Sequence, residues 1–195
     1  MAHHHHHHMN IINTQIDELK IIEPKIYGDE RGFFYESFQA KRYEELLGIT
    51  DRFVQDNFSR SQKGVLRGLH YQSQQTQGKL VSVLAGEVFD VAVDIRLGSP
   101  TFGQWVGVIL SGENKRQFWI PKGFAHGFYV LSAMADFAYK CTDYYHPESE
   151  FSIHYLDPQL AIDWPLGEQV QLSPKDAAAK LLNLIDAELL PRYQA

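Results

Sequence analysis

The chain of 195 residues carries a net charge of −6, 44% hydrophobic residues and one cysteine. The acidic balance argues against a nucleic-acid partner. The lone Cys141 excludes an internal disulfide, and no apolar run reaches the roughly 18 residues of a membrane span. A single unpaired cysteine suits a reducing compartment, so the expected location is the cytoplasm; no signal-peptide pattern follows the leading histidines. Met1 to His8 read as an expression tag, and residues 9–195 are expected to form a single domain of ordinary size. Such a chain buries roughly 70% of its unfolded surface, enough for a core without disulfides or structural metal.

The first predicted element is a short, charged helix over Ala40 to Leu47, preceded by a segment expected to supply extra strands or an arm. Then come short runs rich in Val, Ile, Phe and Tyr. These are Val65 to Tyr71, Lys79 to Leu84, Glu87 to Arg96, Trp105 to Leu110, Gln117 to Ile120, Phe128 to Ser132 and Asp136 to Tyr144. Gly86, Gly98-Ser99-Pro100, Gly112 and Pro121-Lys122-Gly123 punctuate them, a pattern that predicts a sandwich or barrel of short strands. In Phe89 to Ile95, apolar residues alternate with small or acidic ones, so one face should be core and the other should look into a cavity. A second helix is expected to open at Ser173 as N-cap, with Pro174 in its first position, and to continue over Ala177 to Ile185.

The chemistry is carried by a spaced set of residues in the β region. His70 is followed two residues on by Gln72; Lys79 is followed after six residues by Gly86; and Pro121-Lys122-Gly123-Phe124-Ala125-His126 forms a second block. This frame resembles the cupin signature, in which three His and one Glu bind a metal ion inside a jelly roll. Here one His has become Gln72 and the Glu has become Lys79. An ammonium has no lone pair to offer a metal and repels one, so no metal and no cofactor are expected. The resemblance implies a mainly β, cupin-type jelly roll (double-stranded β-helix), with N-terminal extra strands and short flanking helices.

A lysine in place of a metal retains the capacity to stabilise an oxyanion. The reaction class this suggests is proton abstraction beside a carbonyl, through an enolate. His70 is the candidate base, since a neutral imidazole accepts protons near pH 7. Inversion at carbon also needs an acid on the opposite face. Tyr139, on a late strand, is the candidate, although ten tyrosines leave that choice open on the residues alone.

Longer runs carry a more specific resemblance. They include Gly28-Asp29-Glu30-Arg31-Gly32-Phe33-Phe34, Val54-Gln55-Asp56-Asn57, Val65 to Gln72, Gly78-Lys79-Leu80-Val81, Gly86 to Arg96, Phe118 to Phe128, Tyr139 to Tyr145 and Leu172 to Asp176. Together they resemble the dTDP-4-dehydrorhamnose 3,5-epimerase family over nearly the whole of residues 9–195. The resemblance implies epimerisation at C3 and C5 of dTDP-4-dehydro-6-deoxy-glucose. His70 would be the base, Asp176 the carboxylate orienting it, Lys79 the cation beside the C4 oxygen, and Tyr139 the acid. It places Arg67 and His126 around sugar and diphosphate, and Arg31, Glu36, Gln55, Asp56, Asn57, Glu150 and Lys175 at nucleotide-contacting positions. Tyr27 and Tyr145 match aromatic positions near base and sugar. It further implies a homodimer whose N-terminal arm, with Tyr27 and Arg31, reaches the neighbouring site. No role follows for the tail after Glu188.

Each residue also has a plainer reading. Taken singly, His70 is a satisfied core histidine, Lys79 a surface charge, Tyr139 a core aromatic, and Arg31 and Arg67 are partners in surface ion pairs. Asp176 alone is a first-turn charge favoured by the helix dipole. The alternatives of function are a single-carbon epimerase, a ketoisomerase, a metal-dependent cupin oxygenase and a non-catalytic sugar-nucleotide binder.

Overall fold

The computed structural model describes residues 3–6 and 9–195. In chain order the strands are β1 (His3–His6), β2 (Met9–Asn13), β3 (Lys20–Pro24), β4 (Tyr27–Asp29), β5 (Gly32–Phe34), β6 (Gln55–Gln62) and β7 (Leu66–Gln72). They continue with β8 (Lys79–Ala85), β9 (Glu87–Asp94), β10 (Trp105–Ser111), β11 (Gln117–Ile120), β12 (Phe124–Val130), β13 (Met134–Cys141) and β14 (Glu150–Ser152). The helices are α1 (Ala40–Leu47) and α2 (Pro174–Ala177).

Two antiparallel sheets face each other in a cupin-like jelly roll. One runs in the order β1-β2-β3-β11-β8-β13-β6 and the other β10-β9-β12-β7-β14, while β4 and β5 form a separate hairpin. Side chains from the inner faces meet in a core that includes Leu19, Val81, Ala92, Leu110, Phe118, Ile120, Val130 and Phe137. A second cluster, with Leu69, Val91, Val93, Ile95, Ile153 and Trp164, lies under the chain that crosses the outer side of the β9-β12-β7 sheet. The alternation in β9 therefore buries both faces. Val91 and Val93 enter the second cluster, Val88 and Ala92 enter the first, and Asp90 and Asp94 are buried as well. The expectation of one core face and one cavity face is corrected by this outer layer of chain.

Helix α1 occupies the predicted residues. Gln39 caps it by accepting from the Arg42 N–H at 2.7 Å, and Gly48 ends it in the left-handed region. Strand β12 starts four residues earlier than predicted. The Gly123 turn, with φ +98°, delivers Phe124 directly into register with Asp94, so His126 sits on a strand rather than in a loop. The second helix is much shorter than predicted. Ser173 and Pro174 open it as expected, with the Ser173 side chain accepting from the Asp176 N–H. Beyond Ala178, however, the backbone is claimed by long-range partners: the His154 N–H donates to the Lys180 carbonyl at 2.9 Å, and the Leu182 N–H to Asp157 Oδ2 at 2.8 Å. Those bonds compete with helix continuation, and 3-10 turns follow at Leu182–Leu184 and Ala187–Leu189.

Within the leading segment read as a tag, His3–His6 pairs antiparallel with β2, along its outer edge. Met1, Ala2, His7 and His8 lie outside the described residues. The tail after Glu188 gains a structural role: the Leu97 N–H donates to the Pro191 carbonyl, the Tyr193 N–H to the Leu97 carbonyl, and Tyr193 stacks under the Arg96 guanidinium at 4.9 Å.

Candidate active site

Two glycines fix the geometry where β7 meets β12. Gly68 on β7 has φ +128°, and a Cβ there would lie 2.6 Å from the Gly127 Cα and 2.8 Å from the His126 carbonyl oxygen. A Cβ on Gly127 would lie 2.7 Å from the Arg67 carbonyl oxygen. Only two facing glycines allow this approach, and the β7–β12 register shifts there, with His126 opposite His70 and Phe128 opposite Arg67. The shift gathers Arg67, His70 and His126 on one wall of a cavity of about 450 Å³. From the opposing sheet, β8 supplies Lys79, β13 supplies Phe137 and Tyr139, and β6 supplies Asp56 and Asn57. Tyr145 and Glu150 complete the lining among the residues singled out by sequence.

His70 is tied to Asp176. Its Nε2 lies 2.6 Å from Asp176 Oδ1, and Asp176 is 3% exposed. The second carboxylate oxygen accepts from the Gly68 N–H at 3.0 Å, and the Ser152 hydroxyl reaches Oδ1 at 3.3 Å. Burial alone would push the Asp176 carboxyl up, but the His70 contact, the Gly68 N–H and the Ser152 hydroxyl together hold it below the usual carboxylate range. An ionised Asp176 accepts the proton of His70 Nε2, which leaves Nδ1 as the basic nitrogen of the ring.

Lys79 and Tyr139 stand together across the cavity, with the ammonium 5.7 Å from the ring centroid. Burial lowers the Lys79 pKa, opposed by the negative ends of Cys141, Glu150 and Asp90. Burial raises the Tyr139 pKa, opposed by the Asn57 side chain, so the phenol holds its proton at neutral pH. His126 is buried and bonded through Nε2 to Asp90 Oδ2 at 2.8 Å; burial pushes its pKa down and that of Asp90 up. Arg67 Nε donates to Ser61 Oγ at 3.0 Å, and no carboxylate pairs with its guanidinium among the described residues.

The remaining predicted residues divide. Gln55 joins the rim, bonding the Asn57 side chain at 3.1 Å and accepting from the Tyr145 N–H at 2.9 Å. Lys175 reaches the cavity indirectly, through an ion pair with Glu150 at 2.8 Å. Tyr27, Arg31 and Glu36 do not enter it. Tyr27 and Arg31 lie in the exposed β4–β5 hairpin, where Arg31 pairs with Asp29 at 2.6 Å, and Glu36 pairs with Arg42. Eight residues separate the hairpin's end at Phe34 from the core-packed Tyr43, and no hairpin residue lines the His70 cavity. Sequence reasoning did not single out Asp90, Ser152 or Phe137. For Asp90 the signal was present, because the alternation in β9 puts it on the inner face beside Ala92.

No group of three or more His, Cys, Asp or Glu side chains converges in a metal-holding arrangement among the described residues. The two cavity histidines are each paired to their own carboxylate.

Comparison with known proteins gives a consistent answer. The family described as dTDP-4-dehydrorhamnose 3,5-epimerase matches residues 13–183. The dTDP-4-dehydrorhamnose 3,5-epimerase of Salmonella typhimurium is 60% identical over 176 residues, covering 90% of this chain and 96% of that protein. The crystal structure of the Elizabethkingia anophelis enzyme of the same name is 51% identical with a TM-score of 0.86, over 91% of this chain and 98% of its own. That of the Bacillus anthracis enzyme, with TDP and PPi bound, is 45% identical with a TM-score of 0.84, over 89% and 99% respectively. With a sandwich cavity that sets His70 and Asp176 against Lys79 and Tyr139, and with relatives matched over nearly their full length, the chain belongs to the dTDP-4-dehydrorhamnose 3,5-epimerase family.

Proposed function

We infer that this chain is an isomerase that inverts C3 and C5 of dTDP-4-dehydro-6-deoxy-α-D-glucose to give dTDP-4-dehydro-β-L-rhamnose, in dTDP-rhamnose biosynthesis. His70, oriented by Asp176, takes the proton from the carbon beside the C4 ketone. The C–H electron pair moves into the ring bond and the carbonyl pair onto the C4 oxygen, where the Lys79 ammonium stabilises the enolate. Tyr139 returns a proton to the opposite face of the carbon. Each round protonates His70 and deprotonates Tyr139, and exchange with solvent resets both before the second centre is inverted.

The observation that carries this reading is that His70 and Tyr139 come from opposite sheets and line one cavity, with Lys79 beside the tyrosine. Two acid–base groups facing each other across a ring are what inversion requires, and each such group typically contributes about 10²–10⁴-fold. Arg67, with no carboxylate partner among the described residues, and Lys175 at the rim suit a diphosphate. Asp56, Asn57, Gln55, Tyr145, Glu150 and His126 frame the rest of the nucleotide sugar.

The N-terminal arm enters the same reading through a second copy. Phe33 and Phe34 are 62% and 70% exposed, and Tyr27 is exposed beside them. We place this hairpin over the neighbouring cavity in a cytoplasmic homodimer, where Tyr27, Arg31 and Glu36 would meet the nucleotide. The test of the function is turnover of the dTDP-4-keto sugar followed by proton NMR of the product. Ring couplings altered at both C3 and C5 are expected; inversion at one carbon, or a displaced carbonyl, would replace this reading with a mono-epimerase or a ketoisomerase.

A further inference from the structure

Behind the cavity wall lies a carboxylate that the mechanism above does not use. Asp90 on β9 is fully buried, at 0% exposure. One oxygen, Oδ2, holds His126 Nε2 at 2.8 Å, while the other, Oδ1, has no hydrogen-bond partner and is the one buried side-chain polar atom in that state among the described residues. An apolar residue would fill the position at lower free-energy cost, because a half-satisfied buried carboxylate is destabilising. Its retention needs a reason beyond packing.

The surroundings of Lys79 supply one. The charged and titratable groups around it are Asp56 on β6, Arg67 and His70 on β7, Asp90 on β9, His126 on β12, Tyr139 and Cys141 on β13, and Tyr145 and Glu150 beyond them. Glu150 is already engaged by Lys175 at 2.8 Å, and Asp56 by Lys140 at 3.2 Å. Burial pushes the Cys141 thiol up to about 11, and Tyr139 is raised too, so neither is anionic near pH 7. Asp176 is spent on His70. The remaining carboxylate is Asp90, whose pKa burial pushes up while His126 and Lys79 draw it back down, and whose Oδ1 is not taken up by His126.

We propose that Asp90 is a positioning residue for the epimerisation, fixing the His126 ring in the cavity wall and supplying the buried negative charge that holds the Lys79 ammonium at the C4 oxygen. The proposal rests on the reading of Lys79 as the enolate's partner. It follows that His126 carries its proton on Nε2, donated to Asp90, and turns Nδ1 away from that contact.

The test is Asp90→Asn, which conserves shape and removes charge, measured as kcat and KM across pH alongside dTDP binding by calorimetry. We expect dTDP affinity within about threefold of the unmodified enzyme and kcat lower by about 10–100-fold. The alkaline limb of the kcat profile should move to lower pH, because Lys79 loses an anion that favours its charged form. Asp90→Glu should recover part of both effects. Nitrogen NMR of the unmodified protein should find His126 as the Nε2–H tautomer, and this reading does not depend on any variant folding. A folded Asp90→Asn enzyme with unchanged kcat and an unmoved alkaline limb would overturn the proposal, as would His126 protonated on Nδ1 with a bare Nε2. Absence of epimerisation by the unmodified enzyme would instead overturn the underlying functional reading, and this proposal with it.

Discussion

Asp176 Oδ1 lies 2.6 Å from His70 Nε2, although the two residues are 106 positions apart in the chain. The contact depends on a four-residue helix whose first turn aims Asp176 at β7, and on the Gly68 N–H that holds the second carboxylate oxygen. Asp176→Asn should therefore lower kcat by about 10²–10⁴-fold with little change in dTDP binding. Steady-state kinetics together with calorimetry check both halves.

The same carboxyl makes a statement about pH. Its folded pKa is depressed below the unfolded value, so its contribution to stability is present above the unfolded carboxylate range and is lost as pH falls through the folded value. Asp176→Asn should flatten the acid arm of a plot of stability against pH, read by thermal melting at a series of acidic pH values. An acid arm unchanged by the substitution would show that the pair adds nothing there.

Ser173 caps α2 by accepting the Asp176 N–H at 3.1 Å. Ser173→Ala should cost about 1 kcal/mol of stability, the usual value of a lost N-cap. It should also reduce kcat, by less than Asp176→Asn does, because the carboxylate loses its anchored backbone and keeps its charge. Denaturant unfolding and kcat on the same variant measure the two effects.

Gly68 and Gly127 meet where the β7–β12 register shifts. Gly68→Ala places a Cβ 2.6 Å from the Gly127 Cα and holds a non-glycine residue at φ +128°, so we expect a loss of more than about 2 kcal/mol and a displaced His70. Thermal melting and turnover should fall together. An alanine variant with wild-type melting would remove the packing argument.

The trans arm can be tested by complementation. His70→Ala leaves the arm intact, and Arg31→Ala leaves His70 intact. A mixed dimer of the two has one site with an intact His70 and an intact arm from its partner, so mixing should recover turnover with the unmodified KM. If each arm serves its own subunit, no mixture will recover it.

What was legible in the sequence follows the range of the interactions. Helix α1 announces itself locally, through the capping Gln39 and the terminating Gly48, and most strands follow from short apolar runs between turn residues. The cavity pair His70 and Lys79 follows from spacing, since two strands consecutive in the chain carry them on facing sheets. The overrun of the second helix had the opposite origin: residues 177–185 have helical composition, but their backbone is paired with His154 and Asp157, and no local pattern encodes that. Asp90 was visible as an acidic residue in an alternating strand; its link to His126 was not, because it depends on which strand lies next to β9. Tyr27, Arg31 and Glu36 lie outside the cavity of their own subunit; the local sequence sets the β4–β5 turn that carries the first two, but not the surface the hairpin faces.

The central claim, that His70 draws a proton from each of two carbons and Tyr139 returns one from solvent, is tested most directly by running the unmodified enzyme on the dTDP-4-keto sugar in D2O. The account predicts deuterium at both C3 and C5 of the product, with uptake at both abolished in His70→Ala. A product inverted at both carbons yet carrying protium at either would contradict it.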